Sequence, residues 1–351
     1  MIIDFATHIY PQGYLKRLSQ LSDLPWGSFD NSPMWAVSET NPATKDLELR
    51  ARSLESFEAF DYRQVISLVG PPLDDFLEPK KAAEIARETN EELASLVREH
   101  PEQFIGALGM LILSDQDAAT AEVDHLVELG LPGAQVYSHS RGLPLDHPTI
   151  LPVLEDMAAR GLVIFLHPAK SARVPDYPTE EASKYVVWQL IGWPVATTVA
   201  MIRLCASGFF ERHPDAKVVA HHMGAMVPFF EGRLDVHYDI YAFQHPMARD
   251  IPDDSQMKEP LIVNLRRFYG DTALDGGVAG VVCGLDFFGP EHVVFASDMP
   301  MDKAGGARFV RIAIEAVERS GASPQVKQAI FEGNARRLLN LPTVVAAGAV
   351  S

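Results

Sequence analysis

Short β-branched and aromatic runs alternate with segments whose apolar positions recur at helical spacing, and this alternation continues almost to the end of the chain. The strand candidates are residues 2–6, 64–69, 104–109, 133–137, 162–166, 217–220, 267–271 and 292–296. Their near-continuous apolar character suits strands covered on both faces, as in a parallel sheet wrapped by helices. Helical spacing marks 79–99, 115–129, 148–160, 192–212, 274–285 and 304–319, with one more helix over 324–340. Ser114 and Ser323-Pro324 read as N-cap signals, and Gly130 and Gly161 as helix stops. Eight strand and helix units in one run predict a single α/β domain, a (β/α)8 TIM barrel with an extra C-terminal helix. The barrel spans 1–342, and the small, bland tail 343–351 is expected to fray. Residues 11–49 are rich in Pro, Ser, Asn and Trp without clear periodicity, so they predict a long lid-like loop after the first strand.

Composition narrows the partners. With 47 acidic against 30 basic residues the chain carries a formal charge of -17, which argues against nucleic acid and anionic membrane surfaces. An anionic substrate therefore needs local arginines. The N-terminus lacks the basic head and small-residue cleavage site of a secretory signal, and no apolar run reads as membrane-spanning. Two cysteines, Cys205 and Cys283, fit buried thiols in a reducing compartment better than a bridge. A cytoplasmic location is the expectation.

In such a barrel the reacting groups sit at the C-terminal ends of strands. His8 closes the first strand, His167-Pro168 the fifth, His221-His222 the sixth and Ser297-Asp298-Met299-Pro300 the eighth. A lone histidine at a strand end commonly serves structure, and an aspartate before Met-Pro can cap a turn. Four such places converging on one mouth instead suggest imidazoles and a carboxylate holding one divalent metal, zinc or manganese, with a position open for substrate. Tyr10, Trp26, Trp35, Trp188 and Trp193 could line an aromatic pocket or simply pack. Lys170 stands three residues after His167 and is left without a role.

These strand ends occur together with Gly142-Leu-Pro-Leu-Asp146, the block His222-Met-Gly-Ala-Met-Val-Pro-Phe-Phe-Glu-Gly-Arg233, Tyr269-Gly-Asp-Thr272, Phe295-Ala-Ser-Asp-Met-Pro300 and Gly333-Asn-Ala-Arg336. In order and spacing the chain resembles the decarboxylase-type branch of the amidohydrolase superfamily, which includes aminocarboxymuconate-semialdehyde, resorcylate and carboxyvanillate decarboxylases. The resemblance implies that His167 and Asp298 are metal ligands, that His222 orients or activates a metal-bound water or substrate, and that His221 is a neighbour. His8 takes the second position of a strand-one His-x-His or Glu-x-His pair whose first position here is Ala6. Alanine supplies no lone pair, so His8, His167 and Asp298 remain as the ligand set. Arg50, in Leu49-Arg-Ala-Arg-Ser-Leu-Glu55, resembles an arginine that grips a substrate carboxylate, whereas Arg52 reads as solvated. Arg233 resembles a carboxylate-binding arginine supplied by a partner subunit, which implies a homodimer or higher homo-oligomer.

The resemblance implies a metal-dependent, non-oxidative decarboxylase acting on a small aromatic or unsaturated carboxylic acid, with Asp298 or a water held by His222 protonating the carbon. Two alternatives use the same residues. One is hydrolysis or hydration, for instance of a lactone or diene acid, by a metal-bound water. The other is a metal-free binding barrel, supported by Ala6.

Overall fold

A computed structural model describes residues 1–21, 33–68, 70, 72–243 and 255–342. Eight parallel strands follow one another around the sheet in chain order: β1 (Ile2–Ile9), β2 (Tyr62–Leu68), β3 (Phe104–Met110), β4 (Gly133–Tyr137), β5 (Val163–His167), β6 (Lys217–Ala220), β7 (Tyr269–Asp271) and β8 (Val293–Val294). The last strand region returns to the first. Phe5 N–H donates to Phe295 O at 2.9 Å, Asp298 N–H to Ala6 O at 3.1 Å and His8 N–H to Met299 O at 2.8 Å. These bonds pair the two edges, so the expected α/β barrel is present.

Alternation along the strands sorts side chains into two layers. Val65, Leu108, Val163, Phe165, Val219 and Val294 fill the barrel interior. Ile66, Ala107, Val136, Ile164, Leu166 and Val218 face the surrounding helices. This double burial is why the strands read as unbroken apolar runs. The pairing of β1 with β2 slips between Asp4 and Thr7, where three steps on β1 match two on β2. Such a bulge bends a strand and re-aims its side chains; Ala6 packs with the interior layer and His8 follows it at the mouth.

Several expectations are corrected. Asp115, not Ser114, caps the helix Gln116–Leu129, its carboxylate accepting from Ala118 N–H at 3.0 Å. Ser323 does cap the next predicted start, accepting from Val326 N–H at 3.3 Å. The described residues of 11–49 are not one long loop: they carry the helices Gln12–Ser19 and Pro33–Thr40 and the start of Leu47–Leu54. Tyr14, Leu15 and Leu18 bury one face of the first of these, which lies against Pro79–Glu99. Helices Glu231–Phe243 and Leu261–Leu265, between β6 and β7, were not anticipated. Cys205 is buried but Cys283 only half-buried, and both are free. One stretch, Val187–Ala206, is long and apolar enough to cross a membrane by length and composition. It is divided at Ile191, and Thr197, Ala200, Met201, Leu204 and Cys205 bury one face of its second helix. The frayed tail, Trp26 and the Trp35 side chain fall outside the described residues.

Candidate metal centre

The mouth of the barrel gathers the imidazoles of His8, His167 and His221, whose ligand atoms all lie within 4.8 Å of one another. His221, His222 and Asp298 form a second, overlapping group at the same separation. His8, His167, His222 and Asp298, expected to converge, are therefore joined by His221, and the two groups share that residue. The two sixth-strand histidines are adjacent in sequence and stack at 3.7 Å between ring centroids. His222 has a φ of 56°, Met223, Gly224 and Ala225 stay in the same left-handed region, and Asp298 has a φ of 62°. Non-glycine residues hold such conformations only where the surroundings enforce them, and active sites are where this strain collects.

Most of these imidazoles are tied down through one nitrogen. His221 Nδ1–H donates to Asp271 Oδ2 at 2.6 Å, His222 Nδ1–H to Ala273 O at 2.6 Å and His167 Nδ1–H to Pro168 O at 2.8 Å. The Ser67 hydroxyl pairs with His8 Nδ1 at 3.2 Å. A proton fixed on Nδ1 leaves Nε2 as the nitrogen that can serve a cation, the arrangement that outer partners impose on metal-binding histidines. The Nε2 atoms of His8 and His221 are buried without an aligned hydrogen-bond partner, although Asp298 Oδ1 lies 2.9 Å from the first and 3.7 Å from the second. Nε2 atoms that converge beside one carboxylate match the donor set of a divalent cation, which would take the place of the protons between them.

Electrostatics follow from this crowding. Burial, together with the neighbouring His221 and His8, holds His167 well below the ordinary histidine range. Burial and His221 likewise lower His222. Burial alone would depress His221 too, but the Asp271 and Asp298 carboxylates carry it up to about 10. Burial would raise Asp298, yet His221 and His8 hold it well below the usual carboxylate range. The site is thus one anionic carboxylate among imidazoles, two of which favour the neutral form.

Asp271 is the organiser that the sequence reading missed. Its buried carboxylate takes His221 through Oδ2, while Oδ1 accepts from His222 N–H at 3.0 Å and Ala273 N–H at 3.1 Å. Asp4 plays a similar part beneath Asp298, accepting from Ser297 N–H at 3.0 Å and from the Ser297 and Tyr62 hydroxyls at 2.5 Å each.

Arg50 is placed differently from the expectation. It is fully buried among outer-layer groups, with Nε–H donating to Gln64 Oε1 at 2.7 Å and Nη1–H to His8 O at 2.8 Å. The Phe104 ring lies 6.0 Å from its guanidinium carbon. Arg50 Nε and Nη1 are thereby engaged behind the mouth, where Nη1 fixes the His8 backbone, and Nη2 is buried without a partner among the described residues. Arg52 is exposed and pairs loosely with Glu48 at 3.9 Å. Arg233 is exposed on Glu231–Phe243, lining a shallow surface cavity with Ile202, Leu234, His237, Tyr238 and Leu261. Trp193 and Tyr137 flank His167 edge-on at 6.0 and 5.6 Å, and Trp188 meets Trp193 at 5.4 Å. Tyr10 is buried against Tyr14. Lys170 is half-buried, its Nζ 4.0 Å from Asp176.

With this geometry in hand, comparisons with known proteins are consistent along the chain. The Amidohydrolase family model matches residues 3–341. The 2-amino-3-carboxymuconate-6-semialdehyde decarboxylase of Dictyostelium discoideum is 26% identical over 97% of this chain and 91% of its own length. The gamma-resorcylate decarboxylase of Rhodococcus jostii (strain RHA1) is 27% identical over 69% of this chain and 74% of its own. Among solved structures, 5-carboxyvanillate decarboxylase of Novosphingobium aromaticivorans, with bound manganese and 3-methoxy-4-hydroxy-5-nitrobenzoic acid, superposes with a TM-score of 0.79 at 20% identity, covering 97% of each chain. The IDCase of Metarhizium anisopliae gives 0.78 at 24% identity and the same coverage. These last two show the shared fold. By the family match and its relatives, the chain belongs to the amidohydrolase family, in the branch whose curated members are carboxy-lyases.

Proposed function

We propose that this protein is a metal-dependent, non-oxidative decarboxylase of a small aromatic or unsaturated carboxylic acid. The observation that supports the reading is the convergence of histidine Nε2 atoms with Asp298, with Nδ1 occupied by outer partners. His8, His167 and Asp298 would hold one zinc or manganese ion, and His221 is added to that set on its position. A cation bound there supplies a Lewis acid that draws electron density from the substrate as its carboxylate leaves.

The chain's own residues do the rest. Decarboxylation breaks the bond from ring to carboxylate and leaves an electron pair on carbon, which must be met by a proton. Asp298, held anionic by His8 and His221, is a poor source of that proton. His222 is better placed: Ala273 O fixes its Nδ1–H, so its Nε2 can orient a water that gives a proton to the carbon, the hydroxide left behind taking one back from solvent. Trp193 and Tyr137 supply apolar faces beside His167 and keep bulk water from that side.

Arg233 suits an arginine given to a neighbouring subunit. Leu190, Ile191, Val195, Val199, Phe229 and Val236 are exposed on or beside the helices around it, an apolar surface that a second copy would cover. The free thiols Cys205 and Cys283 accord with a reducing, cytoplasmic setting. The direct test incubates metal-loaded protein with a panel of aromatic and dienoic acids. Release of carbon dioxide with loss of the carboxyl supports the reading, and a product heavier by one water would replace it with hydrolysis or hydration.

A further inference from the structure

His222 opens a stretch of backbone that glycine alone adopts readily. Four successive residues, His222, Met223, Gly224 and Ala225, have φ of 56°, 56°, 67° and 57°, a left-handed turn just beyond β6. In that region Cβ crowds the following carbonyl oxygen, so residues other than glycine enter it singly and under constraint. Three of these four carry a Cβ. Hydrogen bonds grip the two ends of the turn: His222 N–H donates to Asp271 Oδ1 at 3.0 Å, and Met226 N–H to Thr198 Oγ1 at 3.2 Å.

The middle is gripped by shape. Met223 is buried, and two glycines stand where its side chain lies. A Cβ at Gly270, on β7, would come 2.8 Å from its Sδ, and a Cβ at Gly284, on the helix Val278–Phe288, would overlap its Sδ and Cγ. Phe288 backs the same slot: its ring would meet a Cβ at Gly270 at 3.0 Å and one at Gly224 at 2.8 Å. An unbranched thioether suits a slot walled closely by backbone. Gly270 immediately precedes Asp271, so Met223 and the Asp271 carboxylate fix the turn against one strand.

We propose that Met223 is a positioning residue for His222: seated in the slot between β7 and Val278–Phe288, it locks the left-handed turn that sets the His222 imidazole beside His221 and Asp298. Its consequence for turnover rests on the role given to His222 above, whereas the position of the ring does not. Without the thioether the turn relaxes toward ordinary backbone, and the 2.6 Å bond from His222 Nδ1–H to Ala273 O is lost.

The test follows that bond. In zinc-loaded protein the His222 Nδ1–H should give a slowly exchanging downfield proton resonance, identified by its absence from His222→Asn. Met223→Ala empties the slot, and Gly284→Ala, at a helical position where alanine is favoured, drives the methionine out of it. Each should shift or abolish the resonance while about one zinc per chain is retained. With an acid that the wild type decarboxylates, each should lower kcat by about tenfold or more with KM nearly unchanged. Neither should lower it further in a His222→Asn background. A wild type without the resonance overturns the proposal, and so does a resonance unmoved in the variants. Equal losses of kcat with and without the His222 side chain would make Met223 structural only. A displaced resonance with kcat unchanged keeps the positioning and removes the role given to His222. If no acid releases carbon dioxide, the decarboxylase reading fails and the resonance alone decides. Gly284→Ala decides by itself if Met223→Ala does not fold.

Discussion

Replacing Asp271 with asparagine changes one atom type, and its consequence can be followed through the hydrogen bonds. Oδ1 accepts from two backbone N–H groups, so the asparagine carbonyl should stay there and turn its NH2 toward His221. Donor then faces donor at a site where Nδ1 and Oδ2 stood 2.6 Å apart. The cheapest escape is a tautomer change: His221 moves its proton to Nε2 and accepts at Nδ1. The lone pair aimed into the cluster is lost without displacing any ring. Loss of an outer partner of this kind typically costs about 10–100-fold in metal affinity. Stability should fall by roughly 1–3 kcal/mol, the range for a hydrogen bond to a charged group. Competition against a chromophoric chelator measures the affinity, and thermal unfolding of the metal-free protein measures the second effect. A folded Asp271→Asn protein whose metal affinity stays within about twofold of wild type would refute both the tautomer argument and the place given to His221.

His222→Asn should keep the metal and lower turnover by about a hundredfold or more, the loss expected for a positioned acid or base; metal lost together with activity would make His222 a ligand. Asp4, bonded to Ser297 beneath Asp298, offers a pH test of stability. Burial raises it from 3.8 to about 7, so the folded chain keeps a proton that the unfolded chain releases. That contribution, a few kcal/mol on the order of the shift, is full below about pH 4 and is lost as pH rises through 7. Asp4→Asn should flatten this decline in denaturant titrations, and an unchanged slope would remove Asp4 as its source. For Arg233, mixing the inactive Arg233→Ala and His222→Asn proteins after dissociation should restore about a quarter of wild-type activity, because about half the dimers are mixed and each of those has one intact site. Activity that stays at the parental average in confirmed mixed dimers would place Arg233 in its own chain's site.

The barrel was legible because its strands are covered on both faces, and a covered strand writes itself as an unbroken apolar run. β4 and β6 match their expected bounds, 133–137 and 217–220. β1 runs beyond the expected residue 6 to Ile9, since Thr7 and His8 are polar residues that the site itself demands. Glu231–Phe243 escaped because it is exposed over much of its surface and mixes charged with apolar positions. Two misreadings had usable signals. Val219 lies inside the barrel, so parity alone sends residue 221 inward, ahead of residue 222. Leu47, Arg50 and Leu54 recur at helical spacing, which puts Arg50 on the buried stripe of its helix, beneath β1 and not over the mouth. Asp271 had a signal too, since it closes the expected strand 267–271 at its C-terminal end, but its partner could not be read from the chain because it depends on β7 lying beside β6.

The central claim is that the His8, His167, His221 and Asp298 cluster is a working metal site. Elemental analysis of protein purified without chelators, paired with turnover before and after metal removal, tests it most directly. The account predicts about one divalent ion per chain, activity lost on chelation and activity regained when zinc or manganese is returned. Full turnover by protein shown to be free of metal would contradict it.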